Sequence, residues 1–262
     1  MGILNVTPDS FYSGSRLAGE KELLSRAETM LTEGADILDV GGMSSRPGAE
    51  MITEEEELSR VVPVVKLLSG KIPHAIVSVD TFRAAVAEAA VREGASIIND
   101  ISAGTMDAEL FKTAARLKTP YVLMHMQGTP RTMQDNPHYT NVVKEVTEFF
   151  IEKLAHLKQM GLNDIILDPG FGFGKNLEHN YALLKNLAAF NIFEQPVMAG
   201  ISRKSLICAA LKVKPENALN GTTALHSIAL LNGVNILRVH DVKEANEVIR
   251  LMGFFMNAQA VE

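Results

Sequence analysis

One alternation constrains this chain more than any other feature. Short apolar runs rich in β-branched residues recur eight times, at Ile3–Val6, Ile37–Val40, Ile76–Val79, Ile97–Ile98, Tyr121–Met124, Ile165–Leu167, Val197–Ala199 and Ile236–Val239. Longer stretches of helical period separate them: Glu20–Glu33, Glu54–Leu68, Arg83–Arg92, Ala108–Leu117, Val142–Met160 and Glu178–Leu187. Lys204–Leu231, broken at Pro215, and Val242–Met256 complete the series. The runs are apolar throughout, as parallel strands covered on both faces require. Eight strand–helix units in 262 residues predict an α/β fold, a (β/α)8 barrel of the TIM type, as a single domain over residues 1–262. Gly34, Gly94 and Gly161 stand just past helices and before strands, where a left-handed residue ends a helix. A doubly wound open sheet is the competing arrangement, because strand order cannot be read from the alternation.

The residues that follow the strands carry the chemistry. Asn5, Asp39, Asp80, Asn99 with Asp100, His125, Asp168, and Arg238 with His240 stand at or just past seven of the runs. The remaining run ends in Gly200, with Ser202, Arg203 and Lys204 opening a helix. Asp and Asn cap helices well, so any one of them could be structural. Seven at strand C-termini match the face on which a barrel assembles its site. Composition narrows the chemistry further. A formal charge of −6 argues against nucleic acid, and no apolar stretch approaches a membrane span. Cys208 is the only cysteine, which excludes an intramolecular disulfide and a thiolate metal cage, and it reads as a small packed hydrophobe. The seven histidines show no two- or three-His metal spacing, and His125 is expected to orient pocket groups. These properties suit a cytoplasmic metabolic protein.

Side-chain chemistry points to a hydrogen-bonding ligand bearing an anion. A carboxylate accepts from two adjacent N–H groups at once, and an amide both donates and accepts. Asp80, Asn99 and Asp168 on strand ends, with Lys204 as a donor, could read neighbouring N–H donors and an acceptor on one ligand. Arg238 and His240 project to one side of the last run, beside a helix N-terminus that favours phosphate. Asn5 could offer an oxygen to a phosphate-bound cation, and the loop Ser44-Ser45-Arg46-Pro47-Gly48 is polar. Asp168-Pro169-Gly170-Phe171-Gly172-Phe173-Gly174-Lys175 is Gly-rich but lacks the Gly-Lys-Ser/Thr ending of a Walker A loop.

In order along the chain, Asn5-Val6-Thr7-Pro8-Asp9-Ser10-Phe11, Asp39-Val40-Gly41-Gly42, Ser45-Arg46-Pro47 and Val79-Asp80-Thr81 resemble signatures of the dihydropteroate synthases. So do Ile98-Asn99-Asp100, Asp168-Pro169-Gly170, Ser202-Arg203-Lys204-Ser205 and Arg238-Val239-His240. The resemblance implies a transferase of folate biosynthesis. It would condense 6-hydroxymethyl-7,8-dihydropterin pyrophosphate with p-aminobenzoate, releasing pyrophosphate by dissociative substitution. Asn5, Asp80, Asn99, Asp168, Lys204, Arg238 and His240 would be its catalytic set. The pterin would meet Asp80, Asn99, Ile101, Met124, Asp168, Lys204 and Arg238, and the pyrophosphate Asn5, Arg238 and His240. p-Aminobenzoate, or a competing sulfonamide, would meet Phe11, Ser45, Arg46, Pro47, Phe173, Lys204 and Ser205. Mg2+ is the implied cofactor, with Asn5 as its protein ligand.

The chain departs from that pattern in its loops. Tyr12-Ser13-Gly14-Ser15 replaces Ser-Asp-Gly-Gly, so Ser13 brings no carboxylate to pair with Arg46. Met43 replaces a Glu and Ser45 a Thr, and because the first run begins almost at Met1 the barrel is expected to lack the short leading segment that often closes its bottom. Two further readings are a module presenting methyltetrahydrofolate to a corrinoid protein and a non-catalytic pterin-binding paralogue. A Schiff-base lyase fits less well, since Lys204 is expected to be ionised and paired with Asp168. Val248, Ile249, Leu251, Met252, Phe254, Phe255 and Met256 make an apolar band wider than one core-facing stripe, which predicts a homodimer through the C-terminal helices.

Overall fold

Parallel neighbours cannot be joined by tight hairpins, so each strand must be followed by a covering crossover. A computed structural model describes residues 1–6, 16–43 and 51–259, with the backbone alone at 16–18. Its strands are β1 (Gly2–Asn5), β2 (Ile37–Gly41), β3 (Ile76–Asp80), β4 (Ile97–Asp100), β5 (Tyr121–Met124), β6 (Ile165–Asp168), β7 (Met198–Ala199) and β8 (Ile236–Leu237). The α-helices between and after them are α1 (Arg16–Thr32), α2 (Glu54–Lys71), α3 (Ala84–Arg92), α4 (Leu110–Leu117) and α5 (Val142–Gln159). They continue as α6 (Leu177–Lys185), α7 (Ser205–Leu211), α8 (Leu219–Leu231) and α9 (Val242–Asn257). Pro215 opens a 3-10 turn, Pro215–Asn217, that separates α7 from α8. Asn186 follows α6 and donates its side-chain amide to the Ala182 carbonyl, and a 3-10 helix, Leu187–Phe193, begins where the helix expected over Glu178–Leu187 ends.

Strands β1 to β6 pair in chain order, all parallel, and β7 pairs with β8. Two parallel bridges close the ring, Leu167 with Val197 and Gly2 with Val239. Backbone hydrogen bonds cross both seams, from Leu167 N to Pro196 O at 2.8 Å and from Ile3 N to Val239 O at 2.9 Å. An open doubly wound sheet would leave its first and last strands as edges. Here they are neighbours, so the barrel is the observed arrangement. Gly34, Gly94 and Gly161 take φ of +101°, +114° and +82°, as expected at helix ends. No helix among the described residues is long and apolar enough to cross a membrane.

The strands' alternation builds two cores and one site. Leu38, Val40, Val77, Val79, Ile98, Leu123, Leu167 and Leu237 face outward into the main core shared with the helices. Such full burial contributes about 1.5–3 kcal/mol for each large aliphatic side chain. The intervening positions point into the barrel. At its N-terminal end Met1, Ile97, Val122, Ile166 and Met198 form an apolar plug, with Ile37 and Ile236 packed against it. One step further on the same face, two residues along, the side chains become Asp39, Asn99, Met124, Asp168, Gly200 and Arg238. The strand period thus carries each chain from plug to pocket.

Candidate functional site

A cavity of about 580 Å³ opens at the C-terminal end of the barrel, lined in part by Asn5, Asp80, Phe173, Lys204, Arg238 and His240. Strand register explains why such distant residues meet. Asn5 pairs with Gly41, Gly41 with Asp80, and Asp80 with Asn99, so all four share one rung. A Cβ at Gly41 would lie 3.5 Å from Asn5 Oδ1 and 3.4 Å from Asp80 Cβ, so a longer side chain would stand between them. Asp168 pairs in the same way with Met124.

Two carboxylates hold Arg238. Its Nε donates to Asp39 Oδ2 at 2.7 Å and its Nη2 to Asp80 Oδ2 at 2.6 Å. Asn99 Nδ2 donates to the same Asp39 Oδ2 at 3.0 Å, while Asp39 Oδ1 is buried without a partner. Burial pushes the Asp80 carboxyl up to about 7, against the pull of Arg238 and with a further push from Asp39. The guanidinium itself is held firmly protonated: burial alone would lower it, and the attraction of Asp39 and Asp80 outweighs that.

The loop after β6 is braced by two lysines. Asp168 Oδ1 accepts from Gly170 N at 2.8 Å. Gly170 has φ of +71°, and a Cβ there would fall 1.9 Å from the His125 carbonyl oxygen, so only glycine fits. Behind this turn Lys175 Nζ donates to the carbonyls of Gly170 at 3.0 Å and Phe173 at 2.9 Å, and lies 2.9 Å from His125 Nδ1. Burial lowers Lys175 to about 7 although Asp168 opposes it, and burial together with Lys175 keeps His125 neutral. From the cavity side Lys204 Nζ donates to the Phe171 carbonyl at 2.7 Å and sits 4.6 Å over the Phe173 ring. The expected direct pairing of Lys204 with Asp168 is therefore corrected. Phe171 takes the hydrogen bond, and Asp168 acts on the lysine through space, limiting a desolvation that lowers Lys204 to about 8. The burial of Asp168 raises its own pKa, countered first by Lys204.

Lys204 reaches the cavity because its neighbour turns the chain. Arg203 adopts φ of +54° and grips Asp241 with two hydrogen bonds of 2.8 Å. His240 is exposed at the rim, its backbone N–H donating to Ser202 Oγ at 3.3 Å. Ser205 and Cys208 both line the cavity, so Cys208 has a pocket-facing side as well as its packing. Ile101 and Met124 pack with Met133 and Phe173 into an apolar patch beside it. Phe11, Ser13, Ser45, Arg46 and Pro47 lie outside the described residues, whereas Met43 is described and lines the cavity. Among the described residues no group of three or more His, Cys, Asp or Glu could hold a metal ion.

Asp39 had been counted among the strand-end polar residues without a role, and Lys175 and Met133 had not been singled out for the site. Asp39 carried a legible signal, since it stands on the inward face of β2 two residues before Gly41. Lys175 carried none, because a lysine after a Gly-rich loop normally faces solvent.

Comparison with known proteins agrees with this geometry. The family model described as pterin binding enzyme matches residues 1–240. A dihydropteroate synthase of Escherichia coli (strain K12) is 46% identical over 261 residues, which covers 99% of this chain and 92% of that protein. A crystal structure of the Yersinia pestis dihydropteroate synthase, in a sulfonamide drug complex, superposes with a TM-score of 0.92 at 43% identity, covering 98% of this chain and 94% of that one. The Xanthomonas albilineans dihydropteroate synthase with 4-aminobenzoic acid gives 0.89 at 38% identity, with coverages of 99% and 93%. A strand-end ring of Asp80, Asn99, Asp168 and Lys204 in a closed barrel, matched at this identity over nearly the whole length, leaves one assignment: the chain belongs to the pterin-binding enzyme family, among its dihydropteroate synthases.

Proposed function

We propose that this protein joins 6-hydroxymethyl-7,8-dihydropterin pyrophosphate to p-aminobenzoate, releasing pyrophosphate and 7,8-dihydropteroate. One observation carries the reading. Asp80 at the end of β3 lines a cavity that Arg238 and His240 also line, and the buried Asn99 and Asp168 stand at the ends of β4 and β6 in the same barrel mouth. Asp80, Asn99 and Asp168 accept from or bond to the amino-pyrimidinone edge, and Lys204 donates to a ring acceptor. Ile101, Met124 and Met133 supply the apolar face for the ring. Arg238 and His240 take the pyrophosphate oxygens.

The chemistry needs no covalent intermediate on the protein. The bond from the exocyclic carbon to the pyrophosphate oxygen breaks, and the pair of electrons leaves with pyrophosphate. The amine nitrogen of p-aminobenzoate then bonds to that carbon and loses a proton. The carboxylates at the pterin stabilise positive character as it develops there, and Arg238 stabilises the departing anion. Phe173, under the Lys204 ammonium, is a flat platform for the benzoate ring. Mg2+ fits this pocket as an ion carried in by the substrate, since Asn5 is exposed at the cavity and offers a single neutral oxygen. When bound, the ion would neutralise pyrophosphate charge, with Asn5 holding it. Incubation with both substrates and Mg2+ should yield dihydropteroate, and a sulfonamide should compete with p-aminobenzoate. Binding of both substrates with no product would favour a non-catalytic pterin binder.

Activity should have a narrow pH optimum. Asp80 must be ionised to accept from the pterin and titrates near 7, so kcat/KM for the pterin substrate falls as pH drops below that value. Lys204 must be protonated and titrates near 8, so kcat/KM also falls above it. A flat profile from pH 6 to 9 would contradict both roles.

We further propose a homodimer through the last two helices. Ile249, Leu251, Phe254, Phe255 and Met256 on α9 are exposed, beside Ile228 and Leu231 on α8. That concentration of apolar surface exceeds what a monomer usually leaves bare. Light scattering at micromolar concentration should give twice the 28.5 kDa chain mass, and Phe254→Glu with Phe255→Glu should give the single mass. A monomeric parent chain would remove the proposal.

A further inference from the structure

Asp39 touches neither half of the proposed substrate reading, yet it is fully buried and joined to both. Its Oδ2 accepts from Asn99 Nδ2 at 3.0 Å and from Arg238 Nε at 2.7 Å. These partners come from opposite sides of the barrel, Asn99 on β4 and Arg238 just past β8. A carboxylate can only accept, so Asp39 tolerates one orientation of the Asn99 amide, with nitrogen toward itself and oxygen away. Asp80, on the same rung as Asn99, also accepts when ionised. The β3–β4 wall therefore presents acceptors side by side, which suits adjacent N–H donors. Arg238, meanwhile, has its Nε committed to Asp39 and its Nη2 to Asp80, so an anion that takes its remaining N–H groups meets a charge already shared with two carboxylates.

We propose that Asp39 is a positioning residue with two effects: it turns the Asn99 amide oxygen toward the pterin, and it restrains Arg238 from the pyrophosphate. The inference rests on the reading of the pocket given above. It implies that pterin recognition and anion release are tuned by one group that contacts neither ligand.

Calorimetry with 6-hydroxymethylpterin and, separately, inorganic pyrophosphate tests both effects. Asp39→Asn keeps an acceptor oxygen but removes the charge. Its pterin affinity should stay within about threefold of the parent, while its pyrophosphate affinity rises about three- to tenfold as Arg238 loses a competing carboxylate. Asp39→Leu removes the acceptor, and pterin affinity should fall about tenfold or more. In an Asn99→Ala background the same Leu change should cost no more than about twofold, because the amide it orients is gone. A merely structural residue would weaken both ligands in both variants, and its effect would add to that of Asn99→Ala. Unchanged or weaker pyrophosphate binding by Asp39→Asn, or an additive cycle, overturns the proposal. Should Asp39→Leu fail to fold, the pyrophosphate result for Asp39→Asn decides it. A parent protein that binds neither probe would sink the pocket reading itself, and this inference with it. Unaltered affinities in variants of a parent that binds both sink the inference alone.

Discussion

Replacing Arg238 by alanine is expected to abolish turnover and to cost about 3–5 kcal/mol of stability, the usual penalty for leaving a buried charge without its partner. Asp39 is wholly buried and Asp80 nearly so, and both give their Oδ2 to this one guanidinium at 2.7 and 2.6 Å. The loss should depend on pH in a definite direction. Without Arg238, Asp80 loses the main attraction that opposes its upward shift, so its folded-state pKa rises further above the unfolded value. A carboxyl raised in this way binds more protons folded than unfolded, so it stabilises below its folded pKa and the benefit is lost as pH rises. The variant's deficit, read from urea midpoints against the parent, should therefore be larger at pH 8 than at pH 5. A deficit under about 1 kcal/mol at both pH values would mean that water replaces the guanidinium and that the three-residue network is not a structural unit.

Removing the Asp168 carboxylate is expected to weaken pterin binding by about 1.5–3 kcal/mol, or roughly 10- to 150-fold, if its bonds to the ligand are charge-assisted. Asp168→Ala also deprives Gly170 N of its 2.8 Å acceptor, so part of the loss could come from a loosened loop. Asp168→Asn separates the two. Its side-chain oxygen can still take the Gly170 N–H, but it has lost the charge. A loss in both variants points to the carboxylate, whereas recovery in Asp168→Asn points to the loop. Unchanged affinity in Asp168→Ala would sink the assignment of this residue to the pterin.

Much of the architecture was legible in local pattern. The apolar runs located every strand to within a residue or two, since a strand that leaves the apolar plug for the polar pocket changes from aliphatic residues to Asp or Asn there. The three helix-end glycines were legible for the same kind of reason, because only a residue without Cβ takes those φ values cheaply. Asp80, Asn99, Asp168, Lys204 and Arg238 could be picked out by type and by position past a strand. The loops carrying Phe11, Ser45, Arg46 and Pro47 are legible only as sequence, since they fall outside the described residues.

By itself, then, the sequence determined the eight units, their inward and outward faces, and the identity of the polar groups at the strand ends. Those are consequences of period and residue type, which act over a few residues. The tertiary structure decided which of those groups meet. Parallel register sets Asn5, Gly41, Asp80 and Asn99 on one rung, and closure of β8 onto β1 brings Arg238 to Asp39 across 199 positions of chain. It also decided that Lys175 turns inward to hold the loop under Phe173, and that Lys204 bonds Phe171 rather than Asp168. The physical reason is that charge pairing and desolvation depend on distance in space. A local pattern fixes the face on which a side chain stands, but only the closed barrel fixes what stands opposite.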